Sequence, residues 1–302
     1  MSMLKTRIEH DSMGPVEVTA DRYWGAQTQR SLHYFSIGEQ KIPLRMIYAL
    51  VIVKKSAAYV NFKMNALSQA QYEYINQACE QILTGALDDH FPLHVWMTGS
   101  GTQANMNVNE VISNLANQIA GHALGSNAIV HPNDHVNKSQ STNDIFPTAM
   151  HIAVAQDCHT ILLPSLDKII AQLEKNVADW KEIVKIGRTH MQDAVPMTLG
   201  QEFSGYHAML KDHKSRIKTA LEGVYPLALG GTAVGTGLNV PAGFVEQVIQ
   251  SLNEYTNISF SSVSNKFAAQ GAHDALGHLS AVLRGLAMSL YKIANDIRLL
   301  SS

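Results

Sequence analysis

The sequence is short of charge. Asp, Glu, Lys and Arg make up 16% of its 302 residues, against roughly 25% in an average globular protein. A surface with so few charges indicates that part of it is covered, and we interpret the composition as a sign of oligomerisation. Lysine and arginine form no run and the formal net charge is −2, so nothing favours a nucleic acid or an anionic membrane surface as a partner.

Cysteine and long apolar runs are also scarce. The two cysteines, Cys79 and Cys158, make neither a CxxC motif nor a disulfide framework, which fits a reducing cytoplasm. The apolar stretch 47–53 is too short to cross a bilayer, and the first residues lack the apolar core of a signal peptide. We therefore expect a soluble, cytoplasmic protein.

Apolar residues at helical spacing run through most of the chain. From Leu276 to Ile297 they recur at alternating intervals of three and four, and similar series cover 166–184 and 199–221. This spacing predicts a mostly α fold in which long helices share a bundle. The long helices are expected over about 145–186, 198–223 and 264–300, and shorter ones near 43–62, 68–84, 105–121 and 242–254.

Segment 98–110, TGSGTQANMNVNE, is the first polar cluster. Gly99 and Gly101 allow close backbone approach, Ser100 and Thr102 add hydroxyl groups, and a helix N-terminus follows. Such an arrangement can bind a carboxylate or a phosphate. An ordinary loop at a helix entry explains the glycines equally simply, and no Lys follows as a P-loop would require.

Segment 131–147, HPNDHVNKSQSTNDIFP, is the second cluster. We expect Asn143 or Thr142 to cap the long helix, with Pro147 in its first turn. Ser141, Thr142 and Asn143 would then form a second anion site at the helix N-terminus. Plain N-capping is the alternative, because the same residues satisfy it by themselves.

The same segment holds two histidines four residues apart. His131 and His135 have the spacing of metal ligands on a helix, but Pro132, Asn133 and Asp134 favour a turn there. Neither an HExxH motif nor a carboxylate at helical spacing accompanies them. We therefore predict no metal site.

Segment 187–202, GRTHMQDAVPMTLGQE, is the third cluster. Thr198 and Gln201 have the spacing of a capping box that begins a helix, which predicts His190 in a tight turn between two long antiparallel helices. An imidazole near Asp193 can be poised for acid–base chemistry at neutral pH. A structural histidine is equally consistent with the residues alone.

The glycine-rich stretch 229–239, LGGTAVGTGLN, has the composition of a nucleotide-binding loop. Its glycine spacing differs from GxGxxG, and no alternation of strands and helices surrounds it. We interpret it as a flexible, tight connection between helices.

Together the four segments closely resemble class II fumarases of the aspartase/fumarase superfamily, and the resemblance extends from 24–31 to 292–298. GRTH at 187–190 and TGSGTQ at 98–103 side with fumarases, since aspartases typically carry Gln in place of His190. The resemblance implies the superfamily fold, with a mixed N-terminal domain over 1–140 and a long-helix central bundle over 141–302.

The resemblance also implies a chemistry and a set of residues. Class II fumarases are homotetramers of the tricarboxylic acid cycle that hydrate fumarate to L-malate reversibly in the anti sense, without metal or organic cofactor. His190 resembles their proton donor or acceptor. The positions that resemble their carboxylate-binding residues are Ser100, Thr102, Ser141, Thr142, Asn143 and Thr189. A secondary dicarboxylate site is implied at His131, Asn133 and Asp134.

One family segment is absent from these 302 residues. The signature GSSxMPxKxN, which supplies the base serine and a substrate-binding Lys and Asn in class II fumarases, does not occur in the sequence. We therefore expect a C-terminally truncated chain with an incomplete bundle, inactive or nearly so by itself. An aspartate ammonia-lyase and a non-catalytic lyase scaffold remain the alternatives to a fumarate hydratase.

Overall fold

A computed structural model describes residues 5–302 and is mostly helical, as predicted. Residues 1–4 of the predicted first domain lie outside the described residues. Two compact units are present: residues up to Ala153 with Pro226–Ala272 form the first, and Val154–Tyr225 with His273–Ser302 form the second. The predicted boundary after residue 140 falls within the first unit, and the division into domains 1–140 and 141–302 stays a prediction.

Long helices alternate with short paired strands. In chain order the elements are β1 (Thr6–Asp11), β2 (Gly14–Thr19), α1 (Ala26–Tyr34), α2 (Leu44–Lys63), α3 (Gln69–Leu83), a 3₁₀ turn (Asp88–His90), α4 (Thr102–Ile119), a π-helical turn (Pro132–Val136), α5 (Thr142–Asp157), a second π-helical turn (Cys158–Leu162), α6 (Leu163–Asp179), β3 (Val184–Thr189), β4 (Gln192–Thr198), α7 (Leu199–Leu221), β5 (Pro226–Leu227), α8 (Phe244–Thr256), β6 (Ser261–Ser262), α9 (Lys266–Gly271) and α10 (Asp274–Leu300). The strands pair as β1–β2 and β3–β4, both antiparallel, and β5–β6, parallel.

Helix α2 lies in the core of the first unit. Ile47, Leu50 and Val53 are each 1% exposed or less, and a helix that is apolar on nearly every side belongs inside a protein. Lys54 of this helix is fully buried although it is charged. The four predicted shorter helices are confirmed by α2, α3, α4 and α8, whereas α1 was not predicted.

Helix α4 buries amide groups where most core helices bury methyl groups. Asn105, Asn109 and Asn117 have no exposed surface. Asn117 donates from Nδ2 to the Val130 carbonyl at 2.7 Å and accepts the Ile129 N–H at 2.9 Å. Because these bonds are directional, they fix the segment that leads into the second polar cluster against α4.

Glu110 of α4 holds the start of α1. Its carboxylate accepts the backbone N–H groups of Gly25, Gln27 and Thr28 at 2.8–3.1 Å, which are donors that a helix N-terminus leaves without an internal partner. Burial raises the pKa of the Glu110 carboxyl, and these bonds oppose the rise. Glu110 is therefore a structural anchor of the first unit.

The single helix predicted over 145–186 is confirmed as far as Asp179, where α5 and α6 follow each other through the π-helical turn Cys158–Leu162, and it is wrong beyond that residue. Helix α5 ends at Asp157 and α6 ends at Asp179, and residues 184–198 form the β3–β4 hairpin instead. The helical spacing includes Val184, yet this residue is 74% exposed. The β-branched residues that follow α6 lose less freedom in extended backbone than in a helix, and here that preference outweighs the apolar spacing. Pro147 is also deeper than predicted, as the sixth residue of α5.

The other two long helices agree better with the sequence. Helix α7 matches the predicted range 198–223, and the predicted helix over 264–300 is interrupted at residues 272–273, between α9 and α10. On α10, Leu279, Leu286 and Ile293 are buried at intervals of seven, whereas Met288 and Tyr291 are 68% and 74% exposed. One apolar stripe of α10 thus packs within the second unit and another does not.

No helix among the described residues combines the length and the hydropathy needed to cross a membrane.

Candidate functional site

The N-terminus of α4 carries a row of hydroxyl groups. The Thr98 and Ser100 oxygens lie 3.2 Å apart, and the Ser100 and Thr102 oxygens lie 3.0 Å apart. Gly101 is the N-cap, in left-handed backbone with φ 76°, and no side chain caps the helix. The free N–H groups and the exposed hydroxyls therefore offer several donors to an anion at the positive end of α4.

Gly101 also brings this loop against α5. A Cβ atom built on Gly101 would lie 2.3 Å from the ring of Phe146, so the backbone of the loop packs directly on that side chain. The position requires glycine twice, since its φ is unfavourable for other residues and its space is filled. The cluster of Ser100 and Thr102 is thereby held beside α5.

Gly101→Ala should lower the free energy of unfolding by about 2–4 kcal/mol, because both a left-handed non-glycine residue and an overpacked contact are costly. Urea denaturation of the 302-residue chain measures this loss. Gly99→Ala is the matched control, since a Cβ there meets nothing within 4 Å. Equal effects of the two substitutions would contradict the assigned role of Gly101.

The N-terminus of α5 is capped by Ser141, not by the predicted Asn143 or Thr142. The Asn143 N–H donates to Ser141 Oγ at 3.4 Å, and the Ser141 N–H donates to Asp144 Oδ1 at 2.9 Å. This reciprocal arrangement has the logic of a capping box with Asp in the third helical position. Thr142 and Asn143 are consequently left in the first turn of the helix.

A direct hydrogen bond joins the two clusters of the first unit. Asn105 of α4 donates from Nδ2 to Thr142 Oγ1 at 2.9 Å. Together with the contact between Gly101 and Phe146, this bond places two helix N-termini side by side. Five of the residues named from the sequence are thus brought together: Ser100, Thr102, Ser141, Thr142 and Asn143.

The glycine-rich loop 229–239 belongs to this site, which the sequence did not predict. Asn143 donates from Nδ2 to the Ala233 carbonyl at 2.7 Å, and the Gly230 N–H donates to Asp144 Oδ2 at 2.9 Å. Gln270 of α9 donates to the Thr232 carbonyl at 2.6 Å. The loop is therefore pinned beside the N-terminus of α5.

Backbone strain accompanies this loop. Thr232 has φ 53°, and its hydroxyl oxygen is buried without a hydrogen-bond partner among the described residues. A β-branched residue in left-handed backbone is costly, and such strain persists where the surrounding structure over-determines it. The bonds to Asp144 and Gln270 supply that determination.

Two buried charges lie beneath the site. Burial raises the pKa of the Asp144 carboxyl, although the Ser141, Thr232 and Gly230 N–H groups and the Lys54 charge oppose the rise. Burial also lowers the pKa of the Lys54 ammonium to about 7, against the attraction of Asp144. The two groups stabilise each other's charged forms inside the first unit.

His190 lies at the tip of the β3–β4 hairpin in the second unit. The prediction of a tight turn is confirmed, but the turn joins two strands and not two helices. His190 and Met191 have φ 53° and 61°, as a two-residue turn of type I′ requires. Thr189 ends β3 next to His190, and both side chains are exposed. The imidazole is thus presented to solvent on a strained, well-defined turn.

The HPND segment forms its own structure around His131. His131 is the N-cap of the π-helical turn, and its Nδ1 accepts the N–H groups of Asn133 and Asp134 at 3.3 and 3.1 Å. His131 and Asn133, but not Asp134, line a cavity of about 260 Å³ that Glu9, Asp11 and Glu110 also line. Arg7 pairs with Glu9 and Arg30 with Asp11, although neither arginine lines the cavity. Among the described residues no group of three or more His, Cys, Asp or Glu side chains is arranged to hold a metal ion.

Comparison with known proteins identifies the family. A family model described as Lyase matches residues 14–302. The chain belongs to this lyase family. The chain is 53% identical over 295 residues to a class II fumarate hydratase of Prochlorococcus marinus. It is also 53% identical over 300 residues to a class II fumarate hydratase of Caulobacter vibrioides.

The similarity extends to the three-dimensional structure of a related lyase. The class II fumarase of Schistosoma mansoni has a TM-score of 0.95 with this chain at 43% identity, covering 99% of this chain and 66% of that one. The match to the Prochlorococcus protein covers 98% of this chain and 63% of the relative, and the match to the Caulobacter protein 99% and 65%. The chain therefore spans less than two thirds of the length of the curated relatives it matches. The predicted family and fold class are confirmed.

Proposed function

We propose that this chain supplies the carboxylate-binding part and the proton-transferring histidine of a fumarate hydratase, an enzyme that adds water reversibly to fumarate in the anti sense to give L-malate. The observation that carries the proposal is the pair of helix N-termini joined by Asn105 and Thr142. Hydroxyl groups, an amide and free N–H groups converge there, as binding of a carboxylate requires. The similarity to class II fumarate hydratases supports the same reading.

The proposed chemistry is dominated by electrostatic stabilisation. Removal of a C3 proton from malate places a second negative charge on the adjacent carboxylate, and loss of the C2 hydroxyl then needs a proton. Preorganised donors aimed at the developing charge lower the barrier most. In this proposal the donors are those of Ser100, Thr102, Ser141, Thr142, Asn143 and Thr189.

His190 is proposed to transfer a proton, directly or through water. Its place on an exposed two-residue turn leaves the imidazole accessible to a reacting group, and imidazole exchanges protons near neutral pH. The proposal includes no metal ion and no organic cofactor, since the proposed hydration needs only donors to the carboxylates, the imidazole and the base serine of the GSSxMPxKxN segment.

A secondary dicarboxylate site is proposed at His131, Asn133 and Asp134. The cavity beside His131 has room for a small dicarboxylate. The pairing of Glu9 and Asp11 with arginines supports it, because the negative charge of those neighbours is offset.

Fumarate and L-malate are the proposed small-molecule partners, and further copies of the chain are the proposed protein partners, as a homotetramer in the cytoplasm. The exposed apolar stripe of α10, with Met288 and Tyr291, supports self-association, since an uncovered apolar stripe is typical of an interaction surface. Neither a nucleic acid nor a membrane is proposed as a partner.

The test is a pair of proteins: the 302-residue chain, and a chimera in which the C-terminal segment of the Caulobacter vibrioides relative follows Ser302. We expect the 302-residue chain to interconvert fumarate and malate at or near background and the chimera to do so readily, measured by the ultraviolet absorbance of fumarate. The relative itself is the positive control.

The remaining outcomes separate the alternatives. Release of fumarate from aspartate by the chimera would favour an ammonia-lyase, and a folded chimera without either activity would favour a non-catalytic scaffold. Robust turnover by the 302-residue chain would refute the assignment of the base to the absent GSSxMPxKxN segment.

A further inference from the structure

Lys54 of α2 combines a charge with complete burial. Its side chain has no exposed surface, and a buried ammonium is costly unless other groups compensate it. The neighbouring Lys55 offers a direct contrast, because its amine is partly exposed and pairs with Glu80 at 3.3 Å. The contacts of the Lys54 ammonium inside the first unit must therefore compensate the cost of burying its charge.

The Lys54 ammonium begins a chain of hydrogen bonds that ends at the candidate site. Nζ donates to Asn137 Oδ1 at 2.6 Å. Asn105 Nδ2 reaches the same Asn137 oxygen at 3.3 Å and donates to Thr142 Oγ1 at 2.9 Å. We call these four residues, Lys54, Asn137, Asn105 and Thr142, the relay.

The relay has a single polarity, and Lys54 determines it. An ammonium can donate hydrogen bonds but cannot accept them, so the oxygen of Asn137 must face Lys54. Asn137 then turns its Nδ2 toward the Gln140 carbonyl, to which it donates at 3.4 Å. The orientation of Asn137 is thus supported from both ends of its amide.

The second amide follows from the first. Because Asn137 presents oxygen, Asn105 must present its NH₂ group on that side, and the same NH₂ group reaches Thr142. The Thr142 oxygen is thereby an acceptor within the relay, and its hydroxyl proton remains for an acceptor outside the relay. With the reverse orientation of Asn105, Thr142 would donate its proton inward.

We propose that Lys54 is a positioning residue that fixes Thr142 as a hydrogen-bond donor toward the substrate carboxylate. The proposal rests on the proposed function, in which Thr142 binds that carboxylate. Lys54 does not touch the substrate, and it acts through Asn137 and Asn105. The Asp144 charge helps to hold the ammonium form of Lys54 in place.

The test is a double-mutant cycle on dicarboxylate binding. Succinate, which cannot be hydrated, is titrated into the 302-residue chain at pH 6, and amide chemical shifts report binding. Lys54→Met and Thr142→Val should each weaken succinate binding about tenfold, as loss of a charge-assisted hydrogen bond does. In the Lys54→Met background, Thr142→Val should weaken binding by less than about twofold, because the residues act as one unit. Lys55→Met, the matched control, should bind as the unmodified chain does.

The proposal would be overturned if the binding free energies lost in Lys54→Met and in Thr142→Val add up in the double variant. A merely structural lysine would give that additive result, because it would weaken succinate binding independently of Thr142. If Lys54→Met does not fold, Asn105→Leu interrupts the relay without removing a charge, and it must show the same non-additivity with Thr142→Val. An additive result for Asn105→Leu overturns the proposal equally.

A ligand-free measurement separates this proposal from the proposed function. Hydrogen exchange of the Asn105 side-chain NH₂ should be slow in the unmodified chain and at least about tenfold faster in Lys54→Met, since the polarity of the relay is then lost. If succinate does not bind at all, the proposed carboxylate site fails, and the exchange result still decides the relay. Unchanged exchange in Lys54→Met overturns the role of Lys54 whatever succinate does.

Discussion

His190→Asn in the chimera with the Caulobacter segment should lower kcat for malate dehydration by at least about 100-fold, the usual effect of losing an acid–base group. The substitution isolates the chemistry from the fold. His190 has φ 53°, and asparagine is among the residues best suited to left-handed backbone, so the hairpin turn should persist. The absorbance of fumarate follows the reaction directly.

Met191→Asn is the matched control for this substitution. Met191 occupies the second position of the same turn with φ 61° and is 75% exposed, but it carries no titratable group. Its kcat should remain within about threefold of the unmodified chimera, because the turn is preserved and no proton carrier is lost. If His190→Asn behaves like Met191→Asn, then His190 shapes the turn and transfers no proton.

The free energy of unfolding should rise by about 2 kcal/mol between pH 7 and pH 9 because of Lys54. In the folded chain burial lowers the pKa of Lys54 to about 7, whereas the ordinary value is 10.5. Between these values the unfolded chain binds a proton that the folded chain does not, so stability increases as pH rises. Burial of Lys54 therefore destabilises the folded chain most below pH 7, and this destabilisation disappears toward pH 10.5. Urea denaturation at intervals across this range measures it.

The interval stops at pH 9 because another buried group acts beyond it. Burial raises the pKa of the Cys79 thiol from 9.0 to about 12, so stability falls above pH 9 as the unfolded thiol ionises. Lys54→Met should abolish the rise between pH 7 and pH 9, and Lys55→Met should retain it. A flat profile for the unmodified chain would mean that Lys54 keeps its ordinary pKa in the folded state.

The sequence predicts those parts of the fold that depend on local signals. Thr198 and Gln201 form the expected capping box, and α7 begins where that box predicts. The apolar seam of α7 is buried along Phe203, Leu210 and Ile217. Capping and apolar spacing depend on residues that are close in the chain, so they can be predicted from the sequence alone.

The parts that the sequence does not predict depend on contacts between distant residues. The β3–β4 hairpin was hidden because Val184 continues the spacing of the preceding helix. The loop 229–239 joins the site through Asp144 and Asn143, residues about ninety positions away in the chain. The relay from Lys54 likewise joins residues of three separate segments, and no spacing in the sequence predicts these hydrogen bonds.

The position of Asp144 has a kinetic consequence for the site. One carboxylate accepts N–H groups from the start of its own helix and from the glycine-rich loop. Fraying of the first turn of α5 breaks the bond to Oδ1 and detachment of the loop 229–239 breaks the bond to Oδ2 of the same carboxylate, so we expect the two motions to be coupled. An anion that settles on the helix N-terminus would slow the departure of the loop, although it touches no residue of it.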